Sequence, residues 1–271
     1  GILSCHFEKI NFYLYNSCDD GLAHFFYYNN LSYHEENDLK LFLLLAKKSK
    51  TIVDIGSNTG VYSVLSSKAS PSSNIYAVEP YPANIKRFNK NLELNNIQNV
   101  KLFPVALGEE IGSIKMTVPE SDRITDASSV NSEFSQGIYP ELKWKQIDVD
   151  LVTLDSLIDK IGNKIDLIKC DVETYEMSVF KGSEKILREH KPTILFESFL
   201  DEKRKIFFNE VIKNNGYYLY LVLKDGLVRL DNGFDTYGSG LNFLISPRKS
   251  LDNFVDYKSL EENPGQLLSI S

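Results

Sequence analysis

The sequence predicts an α/β protein with a doubly wound, mostly parallel sheet. Three observations carry that expectation. Short apolar runs alternate with stretches of helical period from Thr51 onward. The run Ile52-Val53-Asp54-Ile55 is apolar on both faces of a strand, as in a sheet covered on both sides. A turn bracketed by glycines, Gly56-Ser57-Asn58-Thr59-Gly60, then leads straight into the next helical stretch.

In chain order, the first 30 residues are rich in Phe, Tyr and Asn and show no clear period, so residues 1–32 are set apart as an N-terminal appendage. From Tyr33 to Lys50 the residues Leu39, Phe42, Leu43 and Ala46 recur at helical spacing. Glu35, Glu36 and Asp38 lead that stretch and lysines close it, both matching the helix dipole. Strands are expected at Thr51–Gly56, Asn74–Pro80, Val100–Leu107, Asp166–Val172, Thr193–Ser198, Tyr217–Lys224 and Asn242–Ser246. Helices are expected near Gly60–Ala69, Tyr81–Asn95, Thr174–Glu189 and Glu202–Asn214. The rhythm breaks after Leu107, where Gly112–Pro119 reads as an added strand. A weakly periodic insertion, residues 119–146, follows and carries Phe134, Tyr139 and Trp144. The main domain is thereby bounded at 33–248, with 249–271 as a tail and the insertion as the loop expected to meet an acceptor.

Composition narrows the function. Of 271 residues 42% are apolar and 25% charged, enough for one large core, and the net charge is −7. With no broad basic surface there is no footprint for a nucleic-acid backbone. The longest apolar run, Leu41 to Ala46, is too short for a membrane span, and no signal-peptide pattern opens the chain. Cys5, Cys18 and Cys170 lack metal or redox spacing, so reduced thiols in a cytoplasmic protein are expected, with Cys170 in the core.

In an open α/β sheet ligands bind beyond the carboxyl ends of the strands. At the first such end, Gly56 allows a tight turn, Gly60 allows close helix–strand packing, and the helix start offers free N–H groups to an anion. Alone, this is equally a tight connection with Asp54 capping the helix. The second run ends in Glu79-Pro80, and Glu79 follows Gly60 at about the ~20-residue separation of an acid that binds adenosine ribose hydroxyls. The pair favours an adenosine cofactor and leaves NAD open. Further on, Lys169, Asp171 and Glu173 alternate along one strand face and Glu197 ends the next run; charges among buried strands are rare unless paired or functional. The competing reading is a Lys169–carboxylate ion pair locking strand ends. His190 reads as a helix-end residue; His6, His24 and His34 support no assignment.

Assembled in order, these motifs resemble the FkbM-type family of S-adenosylmethionine-dependent methyltransferases from about Glu35 to Arg248. The resemblance rests on Val53–Gly60, on Val78-Glu79-Pro80-Tyr81-Pro82-Ala83-Asn84 with Asn91 and Asn95, and on Ala106-Leu107-Gly108. It continues through Thr153–Leu157, Asp166–Glu173 with Glu176, Phe180-Lys181-Gly182, Ile194–Glu197 and Asn242-Phe243-Leu244. It implies a class I, Rossmann-like methyltransferase fold of seven strands, the last antiparallel, and O-methylation, commonly of a sugar in a glycan or natural product. It implies cofactor contacts from Asp54, Gly56, Gly60, Glu79 and Asn84, with Ser57, Asn58, Pro80 and Asp171 beside them and an adenine pocket near Ala106. Asn58 in place of a middle glycine looks like the methyltransferase variant and tells against NAD. Lys169, Asp171, Glu173 and Glu197 are implied on the acceptor side, where an acid takes the acceptor's proton. Thr174 departs from the pattern, which has glycine there. Whether a divalent metal takes part is left open.

The leading expectation is an S-adenosylmethionine-dependent O-methyltransferase acting on a sugar hydroxyl, with a small-molecule or glycan acceptor that includes sugar nucleotides. The insertion aromatics would stack on the sugar face or simply pack on the domain. The alternatives are a non-sugar acceptor, an NAD-dependent oxidoreductase, and a non-catalytic module that keeps the fold. No Asn-Pro-Pro-aromatic motif of amino-methylating DNA enzymes is present.

Overall fold

The chain opens with an antiparallel hairpin, β1 (Ile2–Phe7) and β2 (Ile10–Tyr15), followed by α1 (Tyr33–Ala46). Next come β3 (Thr51–Ile55), α2 (Val61–Ala69), β4 (Asn74–Val78), α3 (Pro82–Leu94) and β5 (Val100–Phe103). After these stand β6 (Ala106–Leu107), β7 (Gly112–Pro119), α4 (Ser132–Ile138), β8 (Trp144–Val152) and α5 (Ile158–Ile161). The last third holds β9 (Leu167–Cys170), α6 (Glu176–Lys181), β10 (Thr193–Ser198), α7 (Glu202–Asn215), β11 (Tyr218–Leu223), β12 (Gly226–Arg229) and β13 (Leu241–Ser246). This computed structural model describes residues 1–16, 23, 26, 33–121, 128–223, 226–236, 241–249 and 251; Cys18 and His24 lie outside them.

The central sheet has the order β12-β11-β13-β10-β9-β3-β4-β5. From β5 to β10 neighbouring strands run parallel, and β13 lies antiparallel between β10 and β11. The strand order reverses at β3, between β4 and β9, which opens a crevice at their carboxyl ends. The expected seven strands become eight because β12 folds back on β11, pairing Tyr220 with Arg229 through Leu223 with Gly226.

Four other expectations are corrected. The strand expected over Val100–Leu107 splits at Pro104, which has no N–H for a ladder, and β5 and β6 join different sheets. The weakly periodic insertion, residues 119–146, holds α4 and the start of β8, which runs on to Val152 and pairs antiparallel with the expected added strand β7 in a second sheet, β6-β8-β7. The helix expected over Thr174–Glu189 stops at Gly182, where an added Cβ would stand 1.9 Å from the Gly108 carbonyl oxygen, and a π-helical turn at Ile186–His190 follows. The opening residues without a clear period form the hairpin, with Phe12 and Leu14 packed against Val61, Val64 and Leu65 of α2. Cys5 and Cys170 are both buried, Cys170 in the core.

Candidate functional site

A cleft of about 300 Å³ opens at the carboxyl ends of the parallel strands. One wall is the turn after β3. Gly56 (φ 72°), Asn58 (φ 50°) and Gly60 (φ 90°) are all left-handed, so the backbone doubles back within five residues. The amides of Gly56 and Ser57 both donate to the Val78 carbonyl at 3.0 Å, clamping the turn onto the tip of β4. Glu79, at that tip, is only 4% exposed and still lines the cleft. Its Oε2 accepts from the Asn58 amide at 2.9 Å and its Oε1 from the Tyr81 amide at 2.8 Å. The second wall follows β9, where Lys169 Nζ sits 3.0 Å from Asp171 Oδ2 and 4.5 Å from the centre of the Tyr62 ring. Asp54 and Lys169 are register partners across β3 and β9, and Glu197 and Asn242 across β10 and β13.

Glu173 (φ 53°) and Thr174 (φ 77°) carry the chain from β9 to α6 in the left-handed region, a conformation glycine adopts freely and a β-branched residue resists. Several bonds hold them there. Ser129 Oγ donates to the Glu173 carbonyl at 3.0 Å, and Asn131 Nδ2 donates to Thr174 Oγ1 at 2.9 Å. Arg204 Nη2 donates to the Thr174 carbonyl at 3.2 Å, and Glu176 Oε1 accepts from the amides of Val172 and Thr174, each at 3.2 Å. Backbone strain of this kind, about 1–3 kcal/mol per residue, persists where surrounding bonds over-determine it.

Most candidate residues come together. Gly56, Ser57, Asn58, Glu79, Pro80, Asn84, Lys169, Asp171, Glu173 and Glu197 all line the cleft. Three lie outside its wall. Asp54 is buried behind the turn, where its Oδ2 accepts from Ser63 Oγ at 2.7 Å. Gly60 packs on Phe88, whose ring a Cβ would meet at 2.5 Å. Ala106 is buried in β6 among Tyr81, Met116 and Val118. The insertion aromatics are also elsewhere: Phe134 rests on Phe199, 6.1 Å between ring centres, and Trp144 donates its indole N–H to the Tyr139 carbonyl. The insertion instead reaches the wall through residues 128–130, beside Met116 of β7. His190 Nδ1 accepts from the Ile165 amide, away from the cleft.

Asp38 is the residue the sequence did not disclose as part of the site. Read as a helix-start charge, it is 6% exposed in the cleft wall and hydrogen-bonds Asn242. Its signal is tertiary, since nothing near it in the chain marks it.

Burial dominates the electrostatics. It pushes the Asp38 carboxyl up to about 8, with Glu197 and Asp171 adding to it and Lys169 opposing. It pushes Glu79 up to about 7 against the Tyr81 and Asn58 amides, and Glu176 up to about 7 against its own backbone bonds. Glu173 is raised by burial and by Asp171, Glu197 and Glu176. Burial lowers Lys169, but Asp171, Asp54 and Glu197 outweigh it and hold the ammonium firmly protonated. Among the described residues no three His, Cys, Asp or Glu side chains converge on a metal position.

A carboxyl raised on folding holds its proton more tightly in the folded state. Its stabilising effect is complete below the unfolded value near 4 and is lost as pH rises through about 7 to 8. The ligand-free protein is therefore expected to melt on the order of 5–10 °C lower at pH 8.5 than at pH 5.5, followed by calorimetry at fixed ionic strength. A midpoint that rises over this interval would remove the raised carboxyls.

The pattern of the methyltransferase FkbM domain matches residues 54–219, more than half of the chain. The chain belongs to the FkbM methyltransferase family. Among this family's relatives, Methyltransferase 1 of Beauveria bassiana is 31% identical over 142 residues, which cover 48% of this chain and 57% of that protein. The 2-O-methyltransferase NoeI of Sinorhizobium fredii is 25% identical over 167 residues, 59% of this chain and 67% of that protein. The chain thus spans less than two-thirds of the length of Methyltransferase 1. A solved FkbM methyltransferase from Methylobacillus flagellatus superposes with a TM-score of 0.46 at 17% identity, over 72% of this chain and 43% of that one. Among the described residues of this FkbM chain, no helix is long and apolar enough to cross a membrane.

Proposed function

We propose that this FkbM-family chain is an S-adenosylmethionine-dependent O-methyltransferase whose acceptor is a hydroxyl group, foremost that of a sugar. The observation that carries the reading is one cleft that joins a cofactor-type wall, Gly56–Thr59 with Glu79, to an acid-bearing wall, Asp171 and Glu197. The residues fit the cofactor. Asn84, 2% exposed in the cleft wall, keeps a buried Oδ1 without a partner. Glu79 lines the same cleft and keeps lone pairs beyond its two amide bonds, which supports the reading that it accepts from ribose hydroxyls. That NoeI is a 2-O-methyltransferase supports the hydroxyl acceptor.

The bound cofactor supplies a methyl group already activated on a sulfonium sulfur. Gly56–Thr59, Glu79 and Asn84 would hold it for an in-line displacement by the acceptor oxygen, in which alignment would supply much of the rate. The chain's part is to hold the hydroxyl in line and to take its proton onto a carboxylate, Asp171 or Glu197. Lys169 fixes Asp171 by their 3.0 Å ion pair. Glu173, its carboxyl raised by burial and three neighbouring acids, suits hydrogen-bond donation to an acceptor oxygen. Residues 128–130 bring the 119–146 insertion to the cleft wall, which supports its reading as the acceptor loop.

Calorimetric titration with S-adenosylhomocysteine, with NAD in parallel, tests the cofactor. Saturable binding of the former alone is expected; binding of NAD alone would replace the reading with an oxidoreductase. In the same titration Glu79→Ala is expected to weaken S-adenosylhomocysteine about 10- to 50-fold, because two buried amides lose their acceptor and the ribose loses its own. Unchanged affinity in a folded variant removes Glu79 from the ribose role.

A further inference from the structure

We propose that Asn91 is a positioning residue for the cofactor turn, coupling it through one side-chain amide to the N-terminal hairpin. The proposal rests on the reading that Gly56–Gly60 holds the cofactor. Asn91, on α3, is fully buried. Its Oδ1 accepts from the Tyr15 amide of β2 at 2.7 Å, and its Nδ2 donates to the Thr59 carbonyl at 2.8 Å. Thr59 stands in the cleft wall, so a single amide joins the hairpin to the backbone that faces the ligand.

The contact is part of a repeat. Four residues on, at the C-terminal cap of α3, Asn95 Oδ1 accepts from the Tyr13 amide at 2.9 Å, and its Nδ2 donates to the Tyr13 carbonyl at 2.6 Å. Two residues of strand advance about 6.8 Å and four residues of helix about 6 Å, so asparagines at i and i+4 match successive outward-facing groups of a strand. The helix thereby takes the place of a third strand on the open edge of β2, where unpaired backbone groups would otherwise remain. Asn91 differs from Asn95 in sending its donor to the cofactor turn. Aspartate would lose that donor and bury a charge, and leucine would orphan both the Tyr15 amide and the Thr59 carbonyl. Phe88, one turn earlier, supports Gly60 from the same helix. Coupling of this kind is reciprocal: seating the hairpin favours the ligand-ready turn, and filling the cleft favours the seated hairpin.

Hydrogen exchange on ligand-free parent, Asn95→Ala and Asn91→Ala, joined to S-adenosylhomocysteine titrations, tests this. Asn95→Ala loosens the hairpin but leaves the bond to Thr59. It is expected to speed exchange at Tyr13 and Tyr15 and also at the Asn58 and Gly60 amides, and to weaken S-adenosylhomocysteine about 5-fold, the equivalent of one hydrogen bond. Asn91→Ala is expected to weaken it further, and saturating ligand is expected to slow exchange at Tyr13 and Tyr15 in the parent. Unchanged exchange at Asn58 and Gly60 in Asn95→Ala overturns the proposal, whether or not the hairpin amides respond and whether or not Asn91→Ala folds. Parent protein that does not bind S-adenosylhomocysteine would defeat the cofactor reading alone, since the ligand-free exchange still decides the coupling.

Discussion

Glu197→Gln and, separately, Asp171→Asn are each expected to lower methyl transfer about 100- to 10,000-fold, with S-adenosylhomocysteine affinity within about 3-fold of the parent. Each amide keeps the size of the side chain it replaces and its place in the cleft wall, but takes up no proton. The two variants differ in their side effects. Asp171→Asn also removes the partner of Lys169, whose ammonium then answers to Asp54 and Glu197; Glu197→Gln leaves that ion pair standing. A loss in Glu197→Gln alone assigns the proton to the β10 acid, and a loss in Asp171→Asn alone assigns it to the β9 acid. Single-turnover transfer of a labelled methyl group, with unfolding midpoints as the control for structure, makes the distinction. If both variants keep parental turnover, neither acid is the base.

The second large effect is structural. Gly56→Ala is expected to cost about 4 kcal/mol or more of stability, read as the shift in a denaturant midpoint. A Cβ at Gly56 would stand 1.8 Å from the carbonyl oxygen of Asp171 and 2.8 Å from its carbonyl carbon. These are backbone atoms at the end of β9, where the Asp171 amide donates to the Ile55 carbonyl at 3.1 Å, so they have little room to yield. The left-handed φ of 72° adds about 1–2 kcal/mol for any residue with a Cβ. Gly60→Ala is milder because the obstacle there is the Phe88 ring, which shifts more easily than backbone. Equal losses at the two glycines would mean that conformation, not the approach of Asp171, sets the cost at Gly56.

What could be read from the residues follows the reach of each interaction. β3 and β10 were legible because strands buried on both faces carry mostly apolar runs, and the turn between Gly56 and Gly60 because its geometry demands those residues locally. Glu79 was legible through its separation from that turn. The hairpin was hidden because Phe12, Tyr13, Leu14 and Tyr15 are all apolar or aromatic, although only Phe12 and Leu14 pack inward, so burial alternates where composition does not. β8 does alternate, from Gln146 through Leu151, but the run begins at the end of the 119–146 insertion, and no turn residue sets it apart. Pro104 marks the split between β5 and β6, a local signal set within a mostly apolar run. Asp38 and Asn242 meet only through the folding of α1 over β13, a contact between residues some two hundred positions apart that no local pattern announces.

The left-handed pair at Glu173 and Thr174 limits how this chain can be re-engineered. A natural route to a new acceptor would be to exchange residues 119–146 for the corresponding loop of a relative. Ser129 and Asn131, which hold the Glu173 carbonyl and the Thr174 hydroxyl, would leave with the exchanged loop. The chimera would keep every acid of the recipient and lose two of the bonds that aim Glu173. Loop and turn must therefore be transplanted together, or the recipient given glycine at position 174, so that the turn keeps its shape without help from the graft.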